Sequence, residues 1–333
     1  MKIGRFILCL AIVLILGSRG KAETDYWEEI KLRTAAEAPT VEEAKELKEY
    51  VEALSSKELL TAARQCSAEM EETIAPEDWD VAVGSLGFFF QRYPQKTNNL
   101  EDISPLLVDM KDRSQSVFWR RAIMDLLRSA WSDKLSAEQC YETAKLMREI
   151  YEDSSENSLM KPKAIRSAAN LSLTAYSRNL WNDPNARAFT QEQRMRTKEL
   201  VNAVRAGAVK LAPKTIEANK KVMAEIERAI STQLTLFGEK ETDNEVKTSI
   251  IVSWGRYHKY KLDTPAVPEA LATALDDYRN YDEKLWYLLV RGNAKDFGNQ
   301  TSRLELQTMI SDAKDKREKE RLARLKKELY GKD

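Results

Sequence analysis

SQSVFWRRAIMDLLRSAW, residues 114–131, is the most thoroughly apolar helix-period stretch of the chain after its first residues. At 100° per residue, Phe118, Trp119, Ala122, Ile123, Leu126, Leu127 and Ala130 sweep about half of a helical wheel. Val117, Met124 and Trp131 widen that surface and leave mainly Arg121, Asp125 and Arg128 on a narrow polar edge. A helix so apolar must be covered on more than one side. Two neighbours do this in a bundle; one neighbour before and one after do it in a stacked array of helix pairs.

Working outward, helix signals run from end to end. Four capping boxes precede periodic apolar runs: Thr40 with Glu43, Ser55 with Glu58, Ser136 with Gln139, and Thr190 with Gln193. In each, the hydroxyl accepts from an orphan N–H of the first turn while the acid or amide reaches back. Pro76, followed by Glu77 and Asp78, suits a first helical position. No stretch alternates apolar and polar residues as a strand does, and 11 glycines with no Asn-Gly or Asp-Gly pair leave hairpins little to turn on. The pattern predicts helices near 25–37, 41–54, 56–73, 77–92, 100–111, 115–131, 137–153, 159–180, 191–211, 214–237, 244–262, 266–291 and 302–330. The clearest breaks fall at 94–99, 183–188 and 238–243, and Pro213 kinks or splits a long helical region.

Residues 1–22 read as a secretory signal. Lys2 and Arg5 form the charged start, residues 6–17 an apolar core, and Gly20 and Ala22 put small residues at −3 and −1. The core is shorter than the about 20 residues needed to span a bilayer. Arg19 and Lys21 sit awkwardly for cleavage, so an uncleaved membrane anchor is the alternative. Without this segment the balance of 53 basic to 53 acidic residues becomes 49 to 53, mildly acidic, which argues against a nucleic-acid binder. The expected organisation is a signal at 1–22, one helical domain over 23–300 and a charged terminal helix over 301–333. That last segment carries Leu322, Leu325 and Leu329 on one stripe, for docking or for a short coiled coil. The expected location is outside the cytoplasm, periplasmic or extracellular. There Cys66 and Cys140 could pair, or remain small buried thiols.

An internal pattern recurs. Trp119-Arg120-Arg121-Ala122-Ile123 aligns with Ile165-Arg166-Ser167-Ala168-Ala169 at a spacing of 46 and with Trp79-Asp80-Val81-Ala82-Val83 at 40, with fainter echoes at Val204-Arg205 and Val246-Lys247. A bulky apolar residue, a basic one, then a small one three along resembles the start of the second helix in HEAT repeats, over about 75–260. The resemblance implies an α-solenoid of stacked antiparallel helix pairs, with the arginine tying neighbouring repeats; Asp112 could serve Arg120 in that way. The alternative is an irregular all-α array. The series of consensus residues that marks tetratricopeptide repeats is absent.

Chemistry has few places to hide. One histidine, His258, removes most triads and zinc sites, and no phosphate loop, nucleophile elbow or HExxH pair is present. No cofactor, metal or catalytic set is therefore expected. The one local cluster is WGRYHKYK, residues 254–261, followed by Tyr278, Tyr281, Trp286 and Tyr287. Rings beside cations can hold a sugar or a peptide, with Tyr257 or His258 as base and Arg256 as clamp. Yet Ile250, Ile251, Trp254, Tyr257 or His258, and Leu262 also keep helical spacing, which makes most of the rings packing groups. Trp254, Arg256, Tyr257 and His258 are the candidate binding residues. The expected function is a non-enzymatic scaffold for an unidentified protein partner; the alternative is a helical carbohydrate-active or cell-envelope enzyme. Asn170 and Asn299 match the N-glycosylation pattern, Asn170 in mid-helix.

Overall fold

The computed structural model describes residues 54–76, 103–191, 196–239 and 242–260, residues 262, 264, 266, 267 and 270, and parts of 307–326. Within them the secondary structure is helical with no strand, and the fold class is all-α. The signal segment, the Thr40 box, the Trp79 copy of the repeat, Tyr278, Tyr281, Trp286, Tyr287, Asn299, Leu325 and Leu329 lie outside the described residues. No helix of the described residues is long and apolar enough to cross a membrane. The chain divides into two compact units, Met1–Gln139 and Cys140–Asp333.

The first unit holds α1 (Ser56–Thr73), α2 (Ser104–Lys111) and α3 (Val117–Asp125), α3 running on into a π turn, Leu126–Ala130. The Ser55 capping box sets the start of α1. Ser55 Oγ accepts from Glu58 N at 3.3 Å and Glu58 Oε2 accepts from Ser55 N at 2.8 Å. Leu59, Ala63, Cys66 and Met70, at steps of four and three, form the buried stripe of α1. One carboxylate joins all three helices. Asp109, 2% exposed, accepts from Arg64 Nε at 2.7 Å, from Arg64 Nη2 at 2.6 Å and from Trp119 Nε1 at 2.9 Å. Ser116 Oγ caps α3 through Trp119 N at 3.0 Å, and Glu71 Oε2 accepts from Phe118 N at 3.1 Å.

Phe118, Trp119, Ala122, Ile123, Met124, Leu126, Leu127 and Trp131 are all buried, so the stretch that decides the fold is core on several sides. Full burial of each large side chain stabilises by about 1.5–3 kcal/mol. Its polar edge differs from the expectation. Arg120, Arg121 and Asp125 are buried as well. The helix does not keep 100° per residue to the end: Trp131 N donates to Leu126 O at 2.9 Å, a π-type step, and Ser129 Oγ donates back to Asp125 O at 2.5 Å. Arg128 Nη2 then pairs with Asp125 Oδ1 at 2.7 Å. Arg120 reaches a helix end, its Nε donating to Met110 O at 2.9 Å. Asp112 mainly staples the turn, accepting from Ser114 N, Ser114 Oγ and Gln115 Nε2. These bonds, with a smaller contribution from the Arg120 charge, lower its pKa below 3.8.

The second unit contains α4 (Ala137–Glu152) from Cys140 onward, α5 (Lys161–Asn182), α6 (Pro184–Gln191), α7 (Thr197–Arg205), α8 (Pro213–Gly238) and α9 (Asn244–Lys259). Ser136 and Gln139 make the expected capping box at the start of α4, at 3.1 and 2.8 Å. Helix α5 is the centre of this unit and touches α6, α7, α8 and α9. Ala164, Ala168, Ala169, Ser172 and Ala175 keep its buried face low, which lets α9 lie close.

Two expectations fail around Asp183. The break at 183–188 is a helix, because Pro184 takes a first helical position and the Asp183 carboxylate accepts from Asn185 N at 2.9 Å and Ala186 N at 3.1 Å. Thr190 lies inside α6, its hydroxyl donating to Arg187 O at 3.2 Å, and Gln193, the other half of its expected box, lies outside the described residues. Glu199 instead opens α7, taking Arg196 N at 2.7 Å. Asp183 also accepts from Ala212 N at 2.8 Å, so it serves the starts of both α6 and α8. Between them α7 ends in a Schellman turn. Gly207 at φ 75° donates to Val204 O at 3.1 Å, and Ala208 N donates to Ala203 O at 2.9 Å. Pro213 splits the long helical region by starting α8.

Candidate functional site

Residues 254–259 of the expected aromatic and cationic cluster lie on the last turns of α9, and Lys261 lies outside the described residues. Trp254 and Tyr257 are fully buried, Arg256 and His258 half-buried. Trp254 meets the Phe237 ring at a centroid distance of 5.1 Å and 52° between planes, a packing contact. Arg256 Nη1 donates to Arg166 O at 3.3 Å, and Arg166 Nε donates to Ser249 Oγ at 2.8 Å. Ser253 Oγ donates to Ile165 O at 3.3 Å, so the same α5–α9 seam takes three polar ties. The structure thus places Trp254 and Tyr257 inside the helix packing, and turns Arg256 back onto α5.

Tyr257 opens onto a buried polar chain between α4, α5, α8 and α9. Arg148 Nε donates to Glu225 Oε1 at 2.5 Å, and Arg148 Nη1 donates to Glu152 Oε2. Thr232 Oγ1 donates to Glu152 Oε1 at 2.6 Å. Glu225 is 2% exposed and Arg148 9%, whereas Glu152 reaches the surface. Beside them Tyr151, Tyr257 and Gln233 have no exposure. Burial works to lower the Arg148 pKa, but its hydrogen bond to Glu225 and the charges of Glu225 and Glu152 outweigh that and raise it. Burial raises the Tyr257 hydroxyl, and the nearby Glu225 charge raises it further. Tyr151 goes up for the same first reason, helped by Tyr257. Both phenols therefore stay protonated near neutral pH. They can donate hydrogen bonds; neither can act as a base.

Cys66 and Cys140 are both free and buried. Burial pushes Cys66 up to about 12, with Glu69 adding to it, and Cys140 up to about 11, with Arg178 opposing. A thiol so placed is a packing group rather than a nucleophile. Among the described residues no three His, Cys, Asp or Glu side chains gather as a metal site.

Arg148, Glu152, Glu225 and Gln233 were absent from the sequence-based candidates. A signal existed. Val222, Ile226, Ala229 and Ile230 mark the inward stripe of α8, and Glu225 and Gln233 fall on it at helical spacing. A charged residue on such a stripe implies a buried partner. Which partner is a matter of tertiary structure.

The chain matches no family model, no curated protein and no solved structure.

Proposed function

We propose that this protein is an exported, non-enzymatic interaction scaffold, a stack of antiparallel helix pairs resembling HEAT repeats that binds a protein partner through its helical surface. The observation that carries this reading is the fate of the side chains with chemical potential. Trp254, Tyr257, Arg148 and Glu225 are absorbed between helices, and Arg166 and Arg256 fasten α5 to α9. Side chains used in this way stabilise an array whose outer faces are left for recognition. The mildly acidic balance outside residues 1–22 favours a protein partner over nucleic acid. With Tyr257 protonated and enclosed, a sugar-cleaving site at 254–261 would have to work without it as a base.

The test is a pull-down from the native envelope or medium, run beside a turnover assay on a panel of polysaccharides, with N-terminal sequencing of the isolated protein. A mature chain starting at Glu23, a specific protein partner and no turnover support the proposal. Polysaccharide turnover that disappears in His258→Ala at unchanged stability overturns the scaffold reading. Recovery of Met1 in a membrane fraction overturns export in favour of an anchor.

A further inference from the structure

We draw no further inference here: the strongest candidate, the buried polar chain of Arg148, Glu225, Tyr257, Tyr151 and Gln233 between α4, α5, α8 and α9, belongs to the site already described, and nothing in the structure shows a ligand that would occupy it.

Discussion

Arg148 Nε and Glu225 Oε1 meet at 2.5 Å although 77 residues separate them in the chain. This pair ties α4 to α8 inside the second unit, with Glu152 and Thr232 extending the polar chain at its outer side. Taking two charges out of water is costly, and the pair recovers that cost only while both partners are present.

Removing one partner should therefore be far worse than removing both. Arg148→Met alone is expected to destabilise by about 3–5 kcal/mol, because it leaves the Glu225 carboxylate buried and unanswered, whereas Glu225→Leu leaves Arg148 its pair with Glu152 and should cost less. The double variant should recover a large part of that loss, since Glu152 is near enough to the surface to be solvated and retains Thr232. Urea denaturation of the four proteins gives the coupling directly. Losses that simply add would show that the two side chains do not work as a pair.

Asp183 makes a prediction about acid. Burial raises its pKa, but hydrogen bonds from Thr215, Ala212, Ala186 and Asn185 outweigh burial and hold it below the ordinary 3.8. A depressed folded-state pKa stabilises the fold above the unfolded-state value, and that contribution disappears as pH falls through the folded-state value. Asp183→Asn should lower the melting temperature at pH 7, and the gap to the parent protein should narrow on acidification below about 3.8. Thermal melts from pH 7 to 2.5 read the gap. A gap that stays constant over this range would mean that the carboxylate charge is not what holds α6 and α8.

Reading α1 from its sequence succeeded because its determinants are local. Ser55 and Glu58 lie three residues apart, and the expected bounds 56–73 are those observed. Asp183 and Pro184 suit a break, yet the same two residue types are also helix-start signals, and here they do both, ending α5 and capping α6 within one residue. The π turn at Leu126–Ala130 was invisible for a different reason: a helical wheel assumes a constant 100° step, and one wider turn shifts everything after it. For the site, burial of Trp254 and Tyr257 follows from their spacing with Ile250 and Ile251, a packing alternative already present in the sequence. Arg148 meeting Glu225 does not follow from any spacing, because the two lie on separate helices 77 residues apart and only the tertiary fold brings them together.

The cysteines should be silent in the native protein. With pKa values raised to about 12 at Cys66 and about 11 at Cys140, almost no thiolate exists near pH 8, and burial blocks access besides. Treatment with iodoacetamide followed by peptide mass mapping should leave both unmodified in buffer and modify both in denaturant. Rapid labelling of either in buffer would place that thiol at an accessible surface.

Arg120 and Arg166 occupy matching places in the repeated pattern but should differ in cost. Arg120 is 2% exposed and its Nε donates to Met110 O, so its stem is packed and the last turn of α2 depends on it. Truncation to Ala removes both the hydrogen bond and the packing, for an expected loss of about 2–3 kcal/mol. Arg166 is half-buried and bonds Ser249 Oγ, while the hydroxyl it uses also donates to Glu245 O at 2.8 Å. Arg166→Ala leaves that second bond intact and opens its site to water, so about 1 kcal/mol is expected. Thermal and urea melts of the two variants should rank Arg120→Ala clearly below Arg166→Ala. If Arg166→Ala left the melting temperature unchanged yet abolished capture of a protein partner, Arg166 would belong to the recognition surface instead of the α5–α9 seam.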